Sequence, residues 1–178
     1  MDPSLLRADC GRCAALCCTA LAFDRSAQFA HDKPAGEPCA NLTQSNQCSI
    51  YAVRAQSGFS GCVAYDCLGA GQRVVQEVFE GRTWREDPSL ARPMFEAFAE
   101  MRRVHELLQL LTLAGRLNLT VAQETERTEL MNALDPAGGW TRARLQDFSE
   151  GPLAARVQAL IADLRQNDTV SAWRYARG

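Results

Sequence analysis

The sequence predicts a mainly α-helical protein in which a cysteine-rich, metal-bound N-terminal segment packs on a C-terminal helical bundle. Two observations lead there. All eight cysteines of the 178-residue chain fall within its first 70 residues, and none follows. After Cys67 the texture changes to apolar residues recurring at helical spacing, in four successive stretches with little strand signal. Residues 1–70 are therefore read as a cysteine-cluster metal-binding region and residues 71–178 as a helical bundle region. The length is that of one domain, or of one domain with a small appendage. It suffices to bury a hydrophobic core, so disulfides are not needed merely to fold.

The elements are read in order. Residues 9–23 are expected to be helical: Asp9 can cap, and Ala14, Ala15, Leu16, Ala20, Leu21 and Ala22 favour helix. Residues 24–62 read as mostly irregular, because His31-Asp32-Lys33-Pro34, Gly36, Pro38, Asn41, Asn46, Gly58 and Gly61 are turn formers. So long a stretch with so few apolar residues needs cross-links, which bound thiolates would supply. Within it, Ile50, Tyr51 and Val53 predict a short strand. Cys39-Ala40-Asn41-Leu42-Thr43, a lone pentapeptide-repeat-like unit, reads as loop. Gly69-Ala70-Gly71 breaks the chain; with no strand before it, it does not read as a phosphate loop. Val74, Val75, Val78 and Phe79 then mark a short amphipathic helix ended by Gly81. A long helix is expected from Pro93, a favoured first-turn residue, with Met94, Phe95, Phe98, Met101, Leu108 and Leu111 on its apolar face. Thr120 with Gln123 resembles a capping box for a helix reaching Ala133, which Asp135-Pro136-Ala137-Gly138-Gly139 stops. A fourth helix is expected over 152–165, with Leu153, Val157, Leu160, Ile161 and Leu164 on one side. Trp84, Trp140 and Trp173 read as packing residues.

Composition excludes several partners. The formal charge is −2, and of 19 cationic residues only Lys33 is a lysine. No basic stripe with interleaved aromatics is present, and Arg102-Arg103 is a pair rather than a patch, so nucleic acid is not expected. The N-terminus carries Asp2 and no apolar run of signal-peptide length. Leu107 to Leu119 is too short to span a bilayer and contains Arg116. A soluble, cytoplasmic protein is the expectation, with no membrane partner. In a reducing compartment, paired cysteines favour metal over structural disulfides.

The cysteines run Cys10-x-x-Cys13-x-x-x-Cys17-Cys18, then Cys39, Cys48, Cys62 and Cys67. Disulfides, unligated buried thiols and a redox switch are the competing readings; metal or cluster binding is the favoured one. On a helix, Cys10, Cys13 and Cys17 share a face, and Cys18 is turned about 100° from Cys17. Cys17 and Cys18 then serve two neighbouring ions, or two metal atoms of one cluster. The same follows if Cys10–Cys13 is a knuckle. Eight thiols divide into two four-ligand sites, a donor set that suits zinc foremost, and also iron or copper(I). A cubane cluster beside a separate metal stays open, although the spacing is not the Cx2Cx2Cx3C ferredoxin run. A zinc ion held by four thiolates is a dianionic centre, so some of Arg7, Arg12, Arg25, Arg54 and Arg73 are expected near the sulfurs.

Other candidates are weaker. His105, beside Glu106, reads as a packing or boundary residue; its functional version donates to a metal-bound sulfur. Asp66 either meets an arginine or caps the following turn. Glu77, Glu80, Glu96, Glu100 and Glu106 begin no E-x-x-H pair, which disfavours a di-iron carboxylate bundle. No nucleophile–base pair stands out, and whether the protein is an enzyme stays open.

The order Cys10-x2-Cys13-x3-Cys17-Cys18, then Phe23, Pro38-Cys39-x-x-Leu42, Cys48-x-Ile50-Tyr51, Cys62 and Cys67 resembles the zinc- or iron-chelating CxxCxxxCC proteins, the YkgJ-like cysteine-cluster family. The resemblance covers about residues 10–67. Gly69-Ala70-Gly71-Gln72 and Met101-Arg102-x-x-His105-Glu106-Leu107-Leu108 are similar to an actinobacterial branch, some members of which carry C-terminal pentapeptide repeats that this chain lacks. The branch implies an aromatic where this chain has His31. The family implies metal chelation, with all eight cysteines as ligands. Three functions are consistent with it: a metal-binding accessory or regulatory protein, an iron–sulfur or iron-dependent redox or peptide-modifying enzyme, and a copper(I) or zinc handling protein. A protein partner is possible in each.

Overall fold

Helix propensity and apolar spacing set the C-terminal architecture. The computed structural model describes the backbone of residues 3–175 and the side chains of residues 4–166. Among the described residues there are seven α-helices: α1 (Leu16–Ala20), α2 (Ser60–Ala64), α3 (Ala70–Arg73, continued by a π turn Val74–Val78), α4 (Ala91–Ala114), α5 (Val121–Leu134), α6 (Arg142–Glu150) and α7 (Leu153–Tyr175). Among the described residues there is no named strand; three isolated bridges pair Phe23 with Lys33, Ser26 with Phe29 and Leu42 with Cys48. The protein is mainly helical, as its sequence predicts.

Helix α4 is the hub. Helices α1, α3, α5, α6 and α7 all pack on it. Its buried residues include Met94, Phe98, Met101, Leu108 and Leu111, five of the six residues expected on its apolar face. Phe95 is partly buried beside them. The helix begins at Ala91, two residues before Pro93, because a 3-10 turn over Pro88–Leu90, capped by Asp87, feeds into it. Helix α5 opens with both halves of the capping box: Thr120 accepts from Gln123 N–H, and the Gln123 side chain accepts from the Thr120 backbone. Trp140 is buried and donates its indole N–H to Leu134 O at 3.2 Å. The side chain of Trp173 lies outside the described residues.

Three expectations need correction. The helix expected over 9–23 is broken. A 3-10 turn spans Cys10–Arg12, Ala15 takes a left-handed conformation at φ 53°, and only Leu16–Ala20 is α-helical. A left-handed alanine is costly, and here the turn brings backbone N–H groups to the Cys13 sulfur. The strand expected at Ile50, Tyr51 and Val53 is a 3-10 turn over Tyr51–Val53; Tyr51 N–H donates to Cys48 O and Val53 N–H to Ile50 O, and no neighbouring strand competes for those groups. Helix α6 was not foreseen, because Leu145 and Phe148 are its only buried residues; Thr141 caps it by accepting from Arg144 N–H.

The N-terminal segment is tied to the bundle by its backbone. Gln72 donates to Arg7 O and Gln76 to Arg12 O, while the Trp84 indole donates to Ala14 O at 2.7 Å. Ala14 and Leu16 belong to the main core, and Cys13, Cys17 and Cys67 pack against it. Beyond α1 the chain is irregular and thinly packed. From Ala22 to Gly58 a single side chain is buried, that of Lys33. A small aromatic cluster holds this loop: Phe23 stacks on Phe29 with centroids 4.4 Å apart, and Phe59 meets Phe23 edge-on at 6.2 Å. His31 packs edge-on against Phe59 at 5.1 Å, so it fills an aromatic's place in that cluster.

Candidate metal centre

Five separate pieces of chain deliver the cysteines. Cys10 and Cys13 sit on the Cys10–Arg12 3-10 turn and at its end, Cys17 and Cys18 on α1, Cys39 and Cys48 at the two ends of a loop, Cys62 on α2, and Cys67 just after it. Cys39 N–H donates to Cys18 O, and the Leu42–Cys48 bridge closes the loop between its two thiols. All eight cysteines line one cavity of about 830 Å³. Its apolar wall includes Phe23, Phe29, Phe59 and Phe98. All eight are free thiols, and Cys10 is the exposed one.

The neighbours that act on each thiol sort them into two sets. Burial pushes Cys10 up, and Cys67 and then Cys18 add to the shift. Burial pushes Cys13 up to about 12; the Leu16 N–H opposes this, while Cys67 and Cys10 reinforce it. Cys17 is pushed far up by its hydrogen bond with Cys18, then by burial, with Cys18, Cys13 and Cys67 as charged neighbours. Cys48 and Cys62 are each raised by burial, and both feel Cys18 and Cys39; Cys62 also feels Cys48. By these neighbourhoods Cys10, Cys13, Cys17 and Cys67 group together and Cys18, Cys39, Cys48 and Cys62 group together, and the two groups overlap, since Cys18 also acts on Cys10. Cys17 and Cys18 lie at the seam, with sulfurs 3.9 Å apart and either able to donate. Sharing a proton lets this pair give up its first proton more readily than an ordinary thiol and holds the second.

Donor chemistry and surroundings fit thiolate-bound metal. Cys13 accepts backbone N–H groups from Leu16 and Ala15, and Cys48 accepts one from Ile50; such bonds favour the ionised sulfur. Each set contains one of these two cysteines. Among the described residues, however, no three Cys, His, Asp or Glu side chains converge closely enough to hold an ion as they stand.

Two cations act on the second set, and one of them also on Cys10 of the first. Lys33 is 4% exposed and donates to Thr19 O at 3.0 Å, Pro34 O at 3.0 Å and Glu37 O at 2.7 Å. Arg54 donates to Tyr51 O and Cys62 O, stacks 3.8 Å over the Tyr51 ring, and acts on Cys10, Cys18, Cys48 and Cys62. Of the arginines expected near the sulfurs, Arg73 is instead committed to Glu77 at 2.9 Å and Asp135 at 2.6 Å. Lys33 was missed; its signal was that it is the single lysine in an arginine-rich chain.

The remaining candidates resolve into supports. His105 is fully buried, and its Nδ1 pairs with Leu68 O rather than with a sulfur. It thereby braces the turn after Cys67, where Leu68 has φ 52°. Asp66 caps that turn by accepting from Leu68 N–H at 2.7 Å. Gly69 and Gly71 are there for close approach: a Cβ at Gly69 would lie 2.4 Å from Leu5 O, and one at Gly71 2.6 Å from the Cys13 sulfur. The Tyr65 hydroxyl, missed in the sequence, is buried without a hydrogen-bond partner on the cavity wall.

No family model matches the chain, and no solved structure matches it. The chain is 50% identical over 103 residues to the uncharacterized protein YybG of Bacillus subtilis (strain 168), an alignment covering 58% of this chain and 37% of that protein. The chain therefore spans well under half of the relative's length. No helix among the described residues is long and apolar enough to cross a membrane.

Proposed function

We propose that this is a metal-binding cysteine-cluster protein with an accessory or regulatory role, and that zinc is the leading ion and iron the alternative. The observation that carries the reading is that eight free thiols from five pieces of mostly irregular chain line one cavity. The resemblance to the CxxCxxxCC proteins points the same way. On this reading Cys10, Cys13, Cys17 and Cys67 hold one metal, and Cys18, Cys39, Cys48 and Cys62 the other. The bound ion would supply cross-links for a loop that buries almost nothing, as thiolate-held zinc does in small domains. Elemental analysis of anaerobically purified protein, with its visible spectrum, tests this. Stoichiometric zinc in a colourless protein is the expected outcome, and a protein with no bound metal after anaerobic purification and reconstitution overturns the reading.

One observation favours an iron-dependent enzyme as the second reading. The cavity is far larger than two ions require and falls in the range of small-molecule pockets, with aromatic walls beside the thiols. Broad brown absorption, with iron and acid-labile sulfide, would select a cluster over zinc.

A further inference from the structure

Lys33 presents a problem of electrostatics. An ammonium group buried away from water is costly unless it faces a negative charge. Its three donor positions are filled by the carbonyls of Thr19, Pro34 and Glu37, which orient it but carry no net charge. Among the described residues no carboxylate lies within ion-pair distance of it. Two of those carbonyls fix its position relative to the thiols. Thr19 follows Cys18, Glu37 precedes Cys39 by two residues, and Cys39 N–H is bonded to Cys18 O. The ammonium is thus clamped between the backbones that carry two members of the second sulfur set.

The seam between the sets makes this charge consequential. Cys17 and Cys18 sulfurs are 3.9 Å apart, so ions bound one to each, at 2.3 Å from sulfur, stand at most roughly 8.5 Å from one another. That is about one Debye length at physiological salt, and buried charges are screened less than exposed ones. Two tetrathiolate zinc centres at that separation are two dianions. Arg54, fixed by Tyr51 O and Cys62 O, is the second cation placed against the same set.

We propose that Lys33 and Arg54 are the built-in counter-charges that permit both metal sites to be filled at once, Lys33 from beneath the Cys18–Cys39 backbone and Arg54 from the Cys62 side. This rests on the two-site reading above. The two residues touch no metal; they are positioning residues that set the field at the thiolates.

Anaerobic cobalt(II) titration of the full chain, followed by thiolate-to-cobalt charge-transfer and ligand-field absorption, tests it. The wild type is expected to take up two equivalents. Lys33→Met and Arg54→Gln are each expected to keep the first equivalent and to weaken the second at least tenfold. Loss of a nearby cation also raises the energy of the sulfur donor orbitals, so the charge-transfer band of the bound cobalt is expected to move to lower energy. Loosened packing alone does not produce that shift in the first equivalent. Arg25→Gln, an exposed cation on the same loop, is the control and is expected to behave as wild type. Two equivalents with unchanged affinity and band position in both variants overturn the proposal while leaving the metal reading intact. Wild type that takes up no cobalt overturns the metal reading itself. If Lys33→Met does not fold, Arg54→Gln alone decides.

Discussion

Cys17 and Cys18 are adjacent in sequence, yet their neighbours differ. Cys13 and Cys67 act on Cys17, while Cys18 acts on Cys48 and Cys62 and also on Cys10. Short helix α1 achieves this by turning successive side chains about 100° apart. Cys17→Ser and Cys18→Ser are each expected to lower bound metal by about one ion per chain and leave the other, because each removes one corner of a different tetrahedron. Metal per chain in the two soluble single mutants is the measurement. Full occupancy in Cys18→Ser would remove Cys18 from the ligand set and undo the division. His105 offers a second residue-scale prediction. Burial above all pushes its imidazole down to about 4, against the Leu68 hydrogen bond, which favours the charged form. The unfolded chain binds that proton near pH 6.5. The folded state therefore has its full stability above pH 6.5 and loses it as pH falls toward 4, by roughly 3 kcal/mol in all. Urea melts of metal-free protein between pH 7 and 4 are expected to show this loss, and His105→Gln to flatten it; an equally steep loss in the variant would place the acid sensitivity elsewhere.

At the scale of elements, the helices were legible where many residues report the same thing. Ten buried positions define α4, five of them on the apolar face read from the sequence, and a reciprocal cap defines the start of α5. Helix α6 has only two buried residues in nine, too few to establish a period. The first helix was misread for a different reason. Ala14, Ala15 and Leu16 favour helix by propensity, but Ala15 is left-handed in a turn that seats Ala14 and Leu16 in the core on either side of it. Tertiary demand overrides a propensity of a few tenths of a kcal/mol per residue. Within the candidate site the cysteines were legible because their number and spacing are rare. Tyr65 was not, since its significance comes from long-range burial that no local pattern encodes, and Lys33 stood out as the single lysine without any mark of its burial. Helix α3 carries the element-scale prediction. Gly71 lies where a Cβ would stand 2.6 Å from the Cys13 sulfur, with the Phe98 ring also at 3.7 Å. Gly71→Ala has to displace that sulfur, because the helix cannot retreat from its packing on α4. It is expected to lose metal from the Cys10–Cys13 side while the far-UV helical signal changes little. Gly81→Ala is the companion: nothing lies within 4 Å of its Cβ, but its φ is +84°, so it is expected to cost stability without changing metal content.

Across the whole molecule the distribution of buried surface is uneven, and that unevenness predicts how it responds to metal removal. The main core draws on Ala14, Leu16 and residues from Ala70 onward, and most of its largest members lie on α4 and α5, with Phe79 just after the π turn and Leu16 on α1. The segment 22–58 buries one lysine and rests on a three-phenylalanine cluster with His31. A segment with so little buried apolar surface has little local stability of its own. If the thiols hold metal, the cross-links between Cys18, Cys39, Cys48 and Cys62 are what order it. Chelation under reducing conditions is then expected to raise amide exchange and proteolysis over residues 22–62, while α4, α5 and α6 keep their protection. The stretch around Cys13–Ala20 should respond in between, because Ala14 and Leu16 are anchored in the core and Trp84 holds Ala14 O. Peptide-resolved hydrogen exchange with and without chelator separates the three zones. Uniform protection before and after would show that the aromatic cluster and the Lys33 carbonyl clamp suffice to order the loop, and that metal adds nothing to its stability.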